Sequence, residues 1–511
     1  MSQTTKPKSE TKPVNERFPA PVYAETVLMV NFEDAKKYFL ESLLEIHYAH
    51  TLMLTHQGIL PAADAKKCLE ALDALDRRAI TAAVYDGRCE DLFFYIEEQL
   101  AKQIDAETAG KMHTARSRND IDLTLYRMGL RREVLKIVEA VCNLRGQLLV
   151  LAEANLETVM PAYTHTQPAQ PTTLAHYLMA AVEIFERDAQ RLRAAFATVN
   201  RNPLGACAIT TTGFPIDRES TARLLGFEGL QINSYGAIAA IDYLAEAASA
   251  AAVAMVNLGK LVQDLLQWCT KEFGFLRLRD PFVQFSSIMP QKRNPVSLEH
   301  TRILASKALG QAQAILTCAH NTPFGDIVDS EDDLQPLAFS MFADAERALR
   351  LFAGLMGQCD VRVERLRQAA NDSFLTVTEL ADTLVRQEGL SFRAAHRLVS
   401  EAVKAVGPTY QAQRLVDEVE RLAPETIGHS LRTPPGELLR ALDAENFVRV
   451  RRVVGGPAPE TVKTEISRAH QELAEIEAWL KGKWELLERY PQLIRKESAV
   501  ILEGSSSNKS S

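Results

Sequence analysis

Three short polar segments interrupt a largely helical pattern, and each is dense in side chains that can move protons or hold carboxylates. They are Met112-His-Thr-Ala-Arg-Ser-Arg-Asn-Asp120, Tyr163-Thr-His-Thr-Gln-Pro-Ala-Gln-Pro171 and Phe285-Ser-Ser-Ile-Met-Pro-Gln-Lys-Arg-Asn-Pro295. Taken singly, each has a structural reading. Ser117 and Asn119 are good helix caps, His165 alone suits a satisfied structural histidine, residues 285–295 suit a surface connection, and Lys292 and Arg293 suit solvated charges. Taken together, hydroxyls, amides, Arg118, Lys292 and a histidine collect in three pre-helical loops, as a site for a small polyanion requires. Helix N-termini add unpaired N–H groups and a positive dipole end, which suit carboxylates.

Long helices must position these loops. Leu174, Leu178, Ala181, Phe185, Ala189, Leu192 and Phe196 recur at spacings of three and four, drawing an apolar stripe down one helix face, with Thr172 or Thr173 as its cap. Alanine-rich patterns predict further helices over roughly Gly236–Thr270, Ser297–His320 and Ser340–Met356. Alternating β-branched runs are scarce, and neither a Gly-rich phosphate loop nor an internal repeat is present. Helices of this kind bury their stripes in a central antiparallel bundle; stripes covering more than one face also require other subunits.

At 511 residues the chain is too long for one ordinary core. Its 46% hydrophobic and 24% charged residues are an ordinary globular balance. The net charge of -8 disfavours nucleic acid as a partner. Seven scattered cysteines (68, 89, 142, 207, 269, 318 and 359) without a C-x-x-C suit buried thiols in a reducing, cytoplasmic compartment. Residues 1–14 carry no apolar signal-peptide core. The most apolar stretch, Ala237–Val262, is interrupted by Asp242, Glu246 and Lys260, which argues against a membrane span.

The third segment closely resembles the signature loop of the fumarase/aspartase superfamily. His113–Asp120 resembles the argininosuccinate lyase branch, as do Pro203-Leu-Gly, Phe214-Pro-Ile-Asp-Arg-Glu219 and Gly455-Gly-Pro-Ala-Pro-Glu460. The resemblance covers roughly residues 30–475. It implies an all-α, three-domain fold whose central five-helix bundle joins three others in a twenty-helix homotetramer core, each site being built by three subunits. The divisions read on this basis are a disordered segment 1–14, an N-terminal helical domain 15–118, the bundle 119–370, a C-terminal helical domain 371–500 and a disordered tail 501–511.

The same resemblance implies anti elimination from an N-substituted aspartate, giving fumarate and an amine through an aci-carboxylate. In it Ser286 matches the general base, a role that demands activation of its hydroxyl by positive charge and amides. Lys292 and Asn294 match the groups that stabilise the developing charge. His165 matches an orienting or charge-balancing histidine and Glu299 its carboxylate partner. Ser117, Asn119, Thr164, Ser287 and Met289 fall at substrate-binding positions, and Arg118 is placed to grip a further carboxylate in two-pronged fashion. No metal and no cofactor is called for. The implied partner is a small dicarboxylate substrate.

Four departures from the branch stand out. Phe93 follows Glu90-Asp-Leu where the branch has histidine, Ile241 replaces an arginine, Glu331-Asp-Asp-Leu-Gln335 lacks a lysine, and Phe285 stands where the loop usually opens with glycine. The first three fall in regions serving the amine half of the substrate. They point to a diverged amine pocket, of the ethylenediamine-disuccinate lyase kind, with drift within a true argininosuccinate lyase as the alternative. An inert crystallin-like relative would have no need of Ser286, Lys292, Asn294, His165 and Glu299 together.

Overall fold

The computed structural model describes residues 18–504. The expected disordered segment 1–14, and residues 505–511 of the expected tail, lie outside them.

Five long helices dominate: α1 (Arg118–Glu153), α2 (Leu174–Val199), α3 (Asp242–Trp268), α4 (Val296–Ala319) and α5 (Gln335–Met356). Each packs on the next in sequence and α5 returns to α1, so the five close into a bundle. The α2 stripe read from the sequence is buried at every position from Leu174 to Phe196, and Thr173 is the cap, its Oγ accepting from His176 N at 3.1 Å. Each large apolar side chain in that stripe contributes about 1.5–3 kcal/mol by leaving water. Buried arginines fasten α1 to the end of α2. Arg127 donates to Thr198 O at 2.9 Å and Arg131 to Asn200 Oδ1 at 3.1 Å and Leu225 O at 2.8 Å, satisfying carbonyls that a helix C-terminus leaves unpaired.

The helix expected from Gly236 is broken. Ser234–Ala239 forms a short helix capped by Asn233, Ala240 turns extended, and α3 begins at Asp242. Propensity favours continuity through these alanines, but tertiary contacts override it: Tyr235 stacks on Phe324 at 5.7 Å and donates to Phe324 O at 3.1 Å. Helix α5 starts earlier than the periodicity suggests because Pro336 sits in its first turn, where a missing N–H costs nothing.

The C-terminal region does not form one unit over 371–500. Leu380–Leu442 make their own apolar cluster. A final helix, α6 (Pro459–Gly504), instead lays Val462, Ile466, Leu473, Ile476, Leu480, Leu487 and Ile494 into the main core. It packs on α1, on α2 and on the helices Leu40–His56 and Ala62–Asp73. Lys66 Nζ ties to Leu502 O at 2.9 Å, so residues 501–504 of the expected tail are helical. Helix α3 is long and apolar enough to cross a membrane by length and composition, yet it is a bundle member with 44% of its most apolar window buried. Val150 on α1, Val253 and Val256 on α3, and Ile303 and Leu316 on α4 face outward, exposed.

Candidate active site

The first segment turns into α1. Ser117 is the N-cap, in a capping box completed by its N–H donating to Asp120 Oδ1 at 2.9 Å. Asp120 is fully buried, and its other oxygen accepts from Gly205 N at 2.8 Å and Cys207 N at 2.9 Å, pinning the helix start to the 205–207 turn. Asn119 Nδ2 donates to Ala208 O at 3.0 Å. The free two-pronged guanidinium expected at Arg118 is not what the fold provides. Arg118 is half-buried, pairs with Asp91 and, at 2.9 Å, with Asp122, and lies 5.0 Å over the Phe93 ring.

Behind this turn lies a group absent from the sequence reading. His47 and His50 are buried. A carbonyl only accepts, so His50 Nε2–H donates to Thr114 O at 2.8 Å. Arg116, also buried, donates to His47 Nδ1 at 3.0 Å. Burial, helped by the Arg116 charge, lowers His50 to about 3 and drives His47 down as well. Phe93 is the ring between the two groups, stacked on His47 at 5.6 Å with Arg116 and Arg118 above it. Beyond Arg118, burial and the carboxylates of Asp332 and Asp91 raise Asp122 to about 7 against the pull of Arg118. Burial and Asp326 raise Glu331 to about 8. Burial also raises Asp332, although it accepts the Tyr126 hydroxyl at 2.7 Å. The i, i+4, i+8 spacing of Arg118, Asp122 and Tyr126 on one helix face is the sequence signal for this group.

The second segment is not a loop but a hairpin. Strand β1 (Val159–Thr164) pairs antiparallel with β2 (Gln167–Thr173), with a bulge between Ala162 and Tyr163. His165 and Thr166 form the two-residue turn at φ 50° and 60°, positive at both central positions as a type I′ turn requires. Neither is glycine or asparagine, and a β-branched residue there is strained. Thr164 and His165 are exposed at the tip.

The third segment is a hairpin loop between β3 (Gln284–Phe285) and β4 (Arg293–Asn294). Ser286 N donates to Lys292 O at 3.3 Å and Lys292 N to Met289 O at 3.0 Å. The Ser286 Oγ accepts from two amides, Ile288 N at 3.3 Å and Met289 N at 3.0 Å. Two N–H donors aimed at one hydroxyl oxygen favour its deprotonated form. Arg293 is spent on Leu278 O at 2.9 Å, on Asp280 and on the Phe285 ring at 5.3 Å. Lys292, by contrast, is exposed, as are Ser287 and Met289, and Asn294 is half-buried on β4. Glu299 is exposed in the first turn of α4, where the helix dipole favours an anion.

The fold thus brings Ser286, Ser287, Met289, Lys292 and Asn294 together, with Glu299 on the helix that follows. It holds Ser117, Arg118 and Asn119 at one place and Thr164 and His165 at another. Among the described residues, no hydrogen bond or ion pair joins any of the three segments to another within one chain, and no group of three or more His, Cys, Asp or Glu is placed to hold a metal ion.

Comparison with known proteins supplies the context. A family model described as Lyase matches residues 56–310, and one described as Argininosuccinate lyase C-terminal matches residues 374–449. The chain is 42% identical over 469 residues to argininosuccinate lyase 2 of Agrobacterium fabrum, covering 90% of this chain and 92% of that protein. It is 37% identical over 449 residues to argininosuccinate lyase of Methanoculleus marisnigri, covering 87% and 90%. Among solved structures it is similar to EDDS lyase in complex with formate, with a TM-score of 0.83 and 34% identity over 93% of this chain and 97% of that one. A class II fumarase from Schistosoma mansoni, 15% identical with a TM-score of 0.63 over 83% and 91% of the two chains, shares the fold.

Proposed function

The chain belongs to the argininosuccinate lyase branch of the fumarase/aspartase superfamily and is a carbon–nitrogen lyase of that type, and we propose that Ser286 is the base by which it eliminates fumarate from an N-substituted aspartate. The observation that carries this reading is the Ser286 Oγ accepting the amides of residues 288 and 289, in the same loop as the exposed Lys292. The proton beside a carboxylate is weakly acidic, so its removal demands donors that meet the charge as it develops. Lys292 supplies the counter-charge and Asn294 a directed donor for the aci-carboxylate. Ser286 takes the proton and the amine leaves from the opposite face. His165, with Glu299 as its partner, orients the substrate. Ser117, Asn119, Thr164, Ser287 and Met289 line the substrate, and Arg118 now acts by bracing the start of α1 against Asp91 and Asp122.

The lack, among the described residues, of any hydrogen bond or ion pair joining the three segments within one chain, and the exposed apolar side chains of α1, α3 and α4, support a homotetramer in which three subunits complete each site. Burying each outward valine or isoleucine would contribute about 1.5–3 kcal/mol. Seven free cysteines suit a reducing cytoplasm.

The amine half is read as diverged. Phe93 and Leu334 are buried apolar residues and Ile241 packs against the core, so none of the three positions offers a charge to an amino-acid leaving group. The likeness to EDDS lyase favours a diamine-type substrate such as ethylenediamine disuccinate. The 42% identity to an argininosuccinate lyase favours arginine as the amine. Running the reaction backwards decides between them: fumarate is incubated with arginine, ethylenediamine or ammonia, and products are weighed by mass spectrometry. Addition of a diamine in preference to arginine is expected. Arginine as the best partner by a wide margin would overturn the divergence.

A further inference from the structure

A cavity of about 500 Å³ lies beneath the hairpin that carries His165, between the bundle and the C-terminal unit. Its size and its position at a junction of units are those of a small-molecule site. Its walls are aromatic: Tyr163 and Phe273 lie 5.9 Å apart, and Tyr177 and Trp268 lie 4.8 Å apart. Two side chains of opposite charge, Asp264 and Arg451, also line it.

The charges are not equivalent. Arg451 is committed. Its Nη1 donates to Glu379 Oε2 at 2.9 Å and to Phe447 O at 2.7 Å, and its guanidinium lies on the Phe447 ring at 3.2 Å. Asp264 receives one hydrogen bond, from the Tyr177 hydroxyl at 2.8 Å to Oδ2, and no hydrogen bond or cationic partner meets its other oxygen among the described residues. His176 has both ring nitrogens engaged: Nε2–H donates to Gly455 O at 3.0 Å, and Nδ1 is hydrogen-bonded with the Thr172 hydroxyl at 2.8 Å. The unmet charge in an aromatic cavity is therefore one carboxylate. Aromatic faces attract cations, and a desolvated cation–ring contact contributes about 2 kcal/mol.

We propose that this cavity binds a small organic cation, a guanidinium or alkylammonium compound, with its charge on Asp264 and its body against Trp268, Tyr177 and Phe273. The site is distinct from the Ser286 loop. Tyr163 and Thr166, which line the cavity, flank His165 on the hairpin, so an occupant props the turn that presents His165 from behind.

Agmatine is the probe. Hydrogen–deuterium exchange of the intact protein should show agmatine protecting peptides over residues 160–172 and 264–273, with Kd at or below about 1 mM by titration calorimetry. Asp264→Asn, which still accepts from Tyr177, and Phe273→Leu should each weaken binding about tenfold or more while turnover without agmatine is unchanged. Protection confined to other segments, equal affinity in Asp264→Asn and the parent, no binding at all, or succinate binding in this cavity in place of agmatine would overturn the proposal.

Discussion

Acid should loosen the turn that starts α1, and His50 is the group through which to measure it. His50 Nε2–H holds Thr114 O, His47 Nδ1 accepts from Arg116, and the next residue is Ser117, the cap of α1. Burial lowers the folded-state pKa of His50 from the ordinary 6.5 to about 3. The unfolded chain therefore takes up a proton below pH 6.5 that the folded chain refuses. The stability due to neutral His50 is fully present above 6.5 and is lost progressively as pH falls toward 3. At pH 5 the loss is about 2 kcal/mol, from 1.5 units at 1.36 kcal/mol each. His47, also lowered, adds in the same direction and would forfeit its bond from Arg116 on taking a proton at Nδ1. His50→Gln keeps an N–H for Thr114 O but cannot titrate. Urea midpoints at pH 8 and pH 5, at fixed protein concentration, should show the parent losing about 2 kcal/mol more than the variant over that interval. Equal losses in the two proteins would refute the burial argument.

Other groups give separate tests. Asp122, raised to about 7 by burial, keeps a proton in the folded state that the unfolded chain releases above pH 4, so it lowers stability as pH climbs from 4 through 7. Asp122→Asn should flatten that part of the profile in urea titrations, and an unchanged profile would count against it. Thr166→Gly relieves a strained φ of 60° that costs about 1–3 kcal/mol; thermal melts should show no loss of stability, while the freed hairpin lowers kcat through His165. Mixing inactive Ser286→Ala subunits with inactive His165→Asn subunits, then unfolding and refolding them together, should restore part of the parent activity, because the proposed site takes the two residues from different subunits. Absence of any recovery in verified mixed oligomers would contradict sites shared between subunits.

Much of the scaffold is legible in the sequence because a buried helix face repeats every three or four residues, as Leu174 through Phe196 do. Helix α6 carries the same spacing from Val462 to Leu480, but Gly482, Pro491 and its many charges read as loop, so its return to the main core escapes local pattern. The break at Ala240 is invisible for a similar reason: alanine permits the helix, and a distant ring, Phe324, ends it. The hairpin Val159–Thr173 has no apolar alternation, being rich in Pro, Thr and Gln, and its turn uses His165 and Thr166 where turn chemistry prefers Asn and Gly. At the site, residues adjacent in sequence were legible as a set, whereas the partners of Arg118 come from Asp91 and Asp122, and only folding shows that its charge is already taken.

The central claim is elimination of fumarate with Ser286 as base, and the direct measurement is the ultraviolet absorbance of fumarate as it forms from argininosuccinate or ethylenediamine disuccinate. The parent protein should release fumarate from at least one of them, and Ser286→Ala, folded and of the same oligomeric state, should be slower by about 10²–10⁴-fold in kcat with little change in KM. Undiminished turnover in Ser286→Ala would contradict the account.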